Sequence, residues 1–372
     1  MTNVPIWEDH SWVQLPVLEG DVTADVCVVG LGGSGLACIM ELLALGQRVI
    51  GIDAIDVGAG AAGRNGGFLL AGAARFYHSA VASFGRERAL ALYQLTLSQI
   101  EQMHAETPDA VRRTGTLRIA LSQEEEEDCR QQYQAMKADH LPVVTYDGPE
   151  GRGLLLPTDC SYDPLKRCRM MALRAIEGGA RLYGNSKATG ISGNEVHTTS
   201  GRVSCRKTIV AVDGGLEQLV PDLKDRVRTA RLQMLATAPA RTQRFSRPVY
   251  ARWGYEYWQQ LPDGTIALGG FRDTGGEEEW TGNGSPSAPV QDALEFFLRE
   301  HLRVEENVTH RWAATVSYTN TGIPVVEELR PGLWVTGAYS GTGNVMGAIC
   351  GRGVAQAVVK GESDILRLFP RH

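Results

Sequence analysis

Nowhere in the 372 residues do about twenty apolar positions follow one another, so no segment reads as a membrane-spanning helix. Basic charge is not in excess either. With 37 Lys and Arg against 43 Asp and Glu, the formal net charge is −6, which gives no general attraction to phosphate backbones and sets nucleic acid aside as a partner. The seven cysteines form no C-x-x-C and the eight histidines no H-x-x-x-H, so no metal site is expected. Scattered thiols suit a reducing, cytoplasmic setting. The opening MTNVPIWEDHSW lacks a basic segment leading into an apolar core and does not read as a secretory signal. Without such a signal the acceptor pattern Asn307-Val308-Thr309 carries no meaning. Ser340 does not stand in a G-x-S-x-G, which removes a hydrolase nucleophile elbow. The acidic runs Glu124 to Asp128 and Glu277 to Glu279 read as solvated surface.

What is present is concentrated between Asp25 and Asp53. Val26 to Val29 is a β-prone apolar run suited to a parallel strand buried on both faces. Gly30-Leu31-Gly32-Gly33-Ser34-Gly35 follows as a G-x-G-x-x-G opening a helix over Leu36 to Leu45, which Gly46 ends. The spacing puts one glycine in the tight turn, a second where a pyrophosphate approaches the backbone, and a third where helix meets strand. A second strand, Arg48 to Ile52, ends in Asp53, whose carboxylate can accept from ribose hydroxyls. Phosphate at the helix N-terminus and ribose at Asp53 make a dinucleotide site; the alternative is an ordinary βαβ unit with a tight turn.

Where a nicotinamide-binding domain would continue with helix and strand, ten residues come that are almost free of side chains, Gly58 to Gly67, with Arg64 and Asn65 among them and Phe68 after. So much backbone freedom is entropically costly and implies that something approaches the main chain closely. A flat cofactor ring would do so; a flexible linker is the alternative.

GDVTADVCVVGLGGSGL followed by GRNGGF resembles the FAD-dependent D-amino-acid oxidase and sarcosine oxidase superfamily (DAO-type), and within it the γ-glutamylputrescine oxidase-like and glycine oxidase-like members. The resemblance implies noncovalent FAD, since the cysteine that attaches flavin in some sarcosine oxidases has no counterpart between residues 206 and 349. It implies an α/β fold with a discontinuous Rossmann-type FAD-binding domain, about 1 to 75, 152 to 226 and 320 to 372. A substrate domain, 76 to 151 and 227 to 319, would carry a mixed or antiparallel sheet. The cofactor-binding residues it implies are Gly30, Gly32, Gly33, Ser34, Gly35, Asp53, Arg64, Asn65, Gly66, Gly67 and Phe68. Further along come Ala188 and Gly214, then the C-terminal glycine-rich turn Gly337, Ser340, Gly341, Thr342, Gly343 and Asn344. That turn opens a helix, whose free N–H groups suit a reduced, anionic ring.

Between these motifs the pattern gives a helix over 76 to 110, a strand over Gly115 to Leu121, a helix capped by Ser122, a helix after Asp163-Pro164, and a turn at Gly201. A hairpin follows at Pro262-Asp263-Gly264. Residues 1 to 24 read as a surface arm. Tyr255 and Tyr257 alternate along a predicted strand and, with Tyr339, are candidates for a substrate pocket. Val316 stands about where amino-acid-oxidising relatives hold the substrate carboxylate with arginine, so Arg252 or Arg272 is a candidate for that task, if a carboxylate is bound at all.

The expected activity is oxidation of a C–N bond in a small amine or N-substituted amino acid, by hydride transfer to flavin N5 and hydrolysis of the imine. Catalysis would lie with the cofactor and no side chain is assigned as acid or base. The partners are that substrate and O2 or another electron acceptor. Rival readings are a glycine or D-amino-acid oxidase-like enzyme with its carboxylate anchor relocated, a catalytically silent flavin-binding subunit of a complex, and a nicotinamide dehydrogenase.

Overall fold

The computed structural model describes residues 3–369, so the outermost residues of the expected FAD-binding domain, 1–2 and 370–372, lie outside it. Two compact units divide the chain. The first comprises Met1–Glu8, Arg64–Asp163 and Ala230–Thr315; the second comprises Asp9–Gly63, Pro164–Thr229 and Val316–His372.

The second unit is built on a six-stranded sheet in the order Arg181–Tyr183, Val49–Ile52, Val26–Val29, Lys207–Val210, Leu333–Gly337, Val325–Arg330. Its first five strands are parallel and the last is antiparallel. Val26–Val29 and Val49–Ile52 are buried at every position, the condition that a continuous apolar run encodes. Helix Gly33–Ala44 returns the chain from the first of these strands to the second, completing the βαβ unit. Against it packs helix Gly343–Lys360, where Gly347 and Gly351, four residues apart, face Ser34 and make room. A Cβ on Gly351 would stand 2.2 Å from the carbonyl oxygen of Ser34, so the two helix backbones approach as only glycine permits.

A smaller four-stranded sheet in this unit joins Gly20–Thr23 to Gly201–Ser204, Glu195–His197 and Gly190–Ile191. Two expectations are corrected here. The N-terminal arm ends as a paired strand, and Gly201, expected in a turn, begins the strand opposite Gly20. A Cβ on Gly201 would meet the Gly20 carbonyl oxygen at 2.5 Å, which explains the glycine without a turn.

The first unit is organised by the central strands of an eight-stranded mixed sheet, in the order Ile266–Gly270, Glu256–Gln260, Val249–Ala251, Thr116–Ile119, Gly151–Leu156, Val144–Gly148. The hairpin at Pro262-Asp263-Gly264 joins the first two as expected, with Gly264 at φ +95°. The helix expected over 76 to 110 is two helices, Tyr77–Phe84 and Arg86–Glu106, broken at Gly85, whose φ of +79° no helix accommodates. Helix Gln123–Ala138 starts as read: Ser122 Oγ accepts from the N–H of Glu125 at 3.2 Å, worth about 1 kcal/mol.

The acidic runs are only partly surface. Glu125 is buried, its carboxylate accepting from the backbone N–H groups of Leu121 and Trp253. Glu279 is also buried; Arg231 donates to it through Nε at 2.8 Å and Nη2 at 2.6 Å, and Gln233 and Ser287 complete its shell. A charge run hides such residues because a decisive partner comes from far along the chain, Trp253 for Glu125 and Arg231 for Glu279.

Candidate active site

In the second unit the glycine turn shows which positions the fold needs and which it leaves open. Gly30 has φ +107°, and a Cβ there would lie 2.5 Å from the carbonyl oxygen of Ala211; one on Gly35 would lie 1.9 Å from that of Gly30. Those two glycines close the strand onto the helix. A Cβ on Gly33 would meet nothing within 4 Å, and one on Gly32 only Ala62 Cβ at 3.2 Å. The helix begins at Gly33 with no side-chain cap and no acid in its first turn, so the partial positive charge of its N-terminal amides is not met by a cap or an acid of that turn. Ser34 is buried.

Asp53, at the end of the second strand, accepts from Leu31 N–H through Oδ2 and from Ile55 N–H through Oδ1, both at 2.9 Å. Burial pushes its carboxyl above the usual range. The neighbouring segment is tied to the Asp53 backbone, which donates to the Tyr183 carbonyl and accepts from Ser186 N–H. That bond brings the chain leading to buried Ala188 beside the acid.

The C-terminal turn is held by Asp213, to which the sequence analysis assigned no role. Asp213 Oδ1 accepts from the N–H of Tyr339 at 3.1 Å, its Oδ2 from Ser317 N–H at 3.4 Å, and its own carbonyl from Ser317 Oγ at 2.6 Å. Burial carries the Asp213 carboxyl up to about 6 against the pull of these donors. Ala338 and Ser340 both have positive φ, +55° and +51°, a conformation that costs non-glycine residues energy and persists only where surroundings fix it. Gly337 admits the Val212 carbonyl, 2.3 Å from where its Cβ would be, while Gly214 follows Asp213 half-buried. Thr342 Oγ1 donates to the Tyr339 carbonyl, and the helix starting at Gly343, with Asn344 in its first turn, again has no side-chain cap and no acid there. Tyr339 is not a pocket residue within this unit: its ring is buried and its hydroxyl is shared with Thr336 Oγ1 at 2.9 Å.

An uncapped, glycine-lined helix start, an acid closing the next strand, and a second uncapped helix start behind a strained turn fit a flavin dinucleotide. Residues 25–357 match the family described as DAO, FAD dependent oxidoreductase. The chain belongs to that family. It is similar to the probable oxidoreductase OrdL of Rhizobium meliloti, 26% identical over 98% of this chain and 91% of that protein. It is also similar to the gamma-glutamylputrescine oxidoreductase of Escherichia coli, 23% identical over 97% and 89% of the two chains. Among solved structures, glycine oxidase from Geobacillus kaustophilus shares the fold with a TM-score of 0.76 at 18% identity, over 94% of this chain and 99% of that one.

In the first unit of this FAD-dependent oxidoreductase the other glycine-rich stretch is packed against protein. A Cβ on Gly66 would meet the Tyr257 ring at 2.9 Å; one on Gly67, whose φ is +76°, would meet the Tyr162 carbonyl at 2.5 Å and Gln259 Nε2 at 2.6 Å. Gln259 donates to the Gly66 carbonyl at 2.5 Å; that side chain fastens the loop, and the sequence carried no signal for it. Arg64 is a fastener as well, with Nε on the Ala313 carbonyl at 2.9 Å and Nη2 on the Asn3 carbonyl at 2.8 Å. Asn65 accepts from Trp7 Nε1 and from Gly67 N–H. Phe68 meets Tyr257 edge-on with centroids 5.8 Å apart.

The substrate candidates of this unit separate. Tyr257 lies on the strand and is half-buried, but Tyr255 precedes the strand and is exposed, so the two do not alternate on one face. Arg252 is committed to carboxylates, Glu256 at 2.8 and 2.7 Å from Nε and Asp273 at 2.7 and 2.9 Å from its two terminal nitrogens. A guanidinium with two acids already bound is a poor anchor for a third. Arg272 lies over the Trp280 ring at 4.7 Å and near Tyr255 at 5.9 Å. Among the described residues no cluster of His, Cys, Asp and Glu could hold a metal ion, all seven cysteines are unpaired, and no helix is long and apolar enough to cross a membrane.

Proposed function

We propose that this oxidoreductase oxidises the C–N bond of a small amine or N-substituted amino acid, with FAD held noncovalently. The observation that carries the cofactor half is the open position at Gly33 before an uncapped helix, with Asp53 at the adjoining strand end. The amides of Gly32 to Gly35 would hold the pyrophosphate, Asp53 the ribose, and Gly337 to Asn344 the far end of the dinucleotide. FAD, when bound, supplies a two-electron acceptor for the C–H beside the substrate nitrogen. The substrate leaves as an imine, which water hydrolyses to a carbonyl compound and an amine. The relatives' names, a gamma-glutamylputrescine oxidoreductase and a glycine oxidase, support a C–N bond as the target.

The chain's own groups bind and orient. The substrate amine must arrive unprotonated so that its lone pair assists loss of the C–H, and no ionisable side chain is assigned to take a proton. Absence of cysteine between 206 and 349, and burial of Cys350, support flavin held without a thioether. The unpaired thiols suit a reducing cytoplasm.

The test is the visible spectrum of the purified protein, followed without oxygen through a panel of amines and amino acids. Bleaching by one compound, with flavin released into the filtrate on denaturation, is the expected outcome. A coloured protein that nothing bleaches would reject the catalytic reading, and a colourless protein that takes up no FAD would reject the cofactor. Re-oxidation with and without air then identifies O2 or another acceptor.

A further inference from the structure

The first unit contains a cleft whose wall includes Arg118, Asp159, Gln132, Thr116, Tyr93 and Tyr250. Its rim, Leu70 to Ala73, begins two residues after Phe68, the end of the stretch through which the chain resembles flavoproteins.

Several arginines of this unit are paired with carboxylates. Arg231 has Glu279, Arg252 has Glu256 and Asp273, and Arg311 has Glu295. No carboxylate among the described residues lies within ion-pairing distance of Arg118. Its guanidinium carbon is 4.2 Å from the centre of the Phe76 ring and 5.4 Å from that of Tyr250, and Nη1 donates to Gln132 Oε1 at 3.1 Å. Gln132 Oε1 is itself oriented by the Tyr77 N–H at 3.1 Å. One of the five N–H donors of a guanidinium is thus used, and the aromatic faces hold the plane still. Asp159 is occupied by the protein, with Oδ2 accepting from Thr116 Oγ1 at 2.6 Å and Oδ1 from Ala71 N–H at 3.0 Å.

A fixed, half-buried cation facing a cleft, with Asp159 in the same wall bonded to Thr116 and Ala71 and not to it, can take an anion that comes from outside. The flat fork of arginine matches a carboxylate in two parallel hydrogen bonds, and aromatic walls favour an organic acid over a hydrated inorganic ion. We propose that this cleft binds the carboxylate of a small amino or imino acid and that Arg118 is its anchor. The proposal rests on the amine-oxidising reading in taking that acid as the substrate, and on the geometry alone in taking the ligand as a carboxylate. It supplies the relocated anchor that Val316 requires.

The test measures propionate and propionamide binding to the flavin-loaded protein by calorimetry, in wild type, Arg118→Met and Arg118→Lys. Propionate should bind and propionamide should not. Arg118→Met should weaken propionate about tenfold or more, the loss expected of a charge-assisted pair, and Arg118→Lys should fall between, with melting temperatures identifying any variant that fails to fold. Equal propionate affinity in all three folded proteins, or none in wild type, overturns the proposal. In parallel, anaerobic flavin reduction is compared for glycine and methylamine. A rise in KM for glycine alone in Arg118→Lys supports the anchor. If both compounds reduce the flavin equally in wild type and variants, the anchor is overturned while amine oxidation stands. If neither reduces it but propionate binding still depends on Arg118, the carboxylate site stands and the substrate reading fails.

Discussion

The two glycine-rich stretches look alike on the page and are used for opposite ends. In Gly30 to Gly35 a Cβ on either outer glycine would meet backbone, while one on Gly33 would meet nothing within 4 Å. In Gly66 and Gly67 the space is taken by Tyr257, Gln259 and the Tyr162 carbonyl, so those glycines let the chain pack on itself. A run of glycines announces close approach and does not say of what.

The comparison breaks most visibly at Gly30. Gly30→Ala combines positive φ with a contact to the Ala211 carbonyl, and it should cost about 3 kcal/mol or more, read as a lowered denaturation midpoint and protein recovered without flavin. A wild-type midpoint would mean that the turn relaxes and that Gly30 is dispensable.

Asp213 sharpens the contrast from the other end of the second unit, because it holds a turn that glycine alone does not shape. Its folded-state carboxyl, at about 6, stands above its ordinary 3.8. The native state therefore keeps a proton that the unfolded chain gives up, and the stability this confers is present in full below about pH 4 and lost as pH rises through 6. The shift corresponds to about 3 kcal/mol. Buried Asp159, likewise raised to about 6, adds a similar slope. Stability of Asp213→Asn measured from pH 4 to 7 should fall less than that of wild type, by up to about 3 kcal/mol; an unchanged slope would remove Asp213 as its source.

Gly67→Ala tests the packed stretch. The clash with Gln259 can be relieved by a side-chain movement while that with the Tyr162 carbonyl cannot, so a loss of about 2 kcal/mol is expected. Flavin content per folded molecule should stay near wild type, and flavin lost in proportion well beyond stability would move Gly67 into the cofactor site.

How much of this was legible in advance follows the same division. Val26 to Asp53 was readable because strand, turn, helix and acid are local, each constrained by residues a few positions away. Helix Gln123–Ala138 was readable for the same reason, through Ser122. Gly201 was misread since its partner is Gly20, and the acidic runs since Glu279 answers to Arg231, 48 residues away along the chain. Asp213 and Gln259 carried no local pattern, as their work is to bind backbone brought from elsewhere. Gly347 and Gly351 did carry one, two glycines four residues apart, and it could have been taken as a close helix contact.

The smallest effect on stability discriminates most. A methyl on Gly33 would enter open space, its φ is not in the left-handed region, and alanine is the better residue inside a helix. Gly33→Ala should therefore leave stability unchanged within about 1 kcal/mol or raise it slightly. If the space before the helix belongs to a pyrophosphate, the same methyl stands in the ligand's way, and FAD affinity of the apoprotein should fall about tenfold or more, equivalent to about 1.4 kcal/mol. Paired measurements of thermal midpoint without FAD and of FAD titration give the two numbers separately. Weakened binding with an intact fold assigns the open position to the cofactor. Unchanged binding would show that the dinucleotide passes elsewhere and that Gly33 is a glycine without a task.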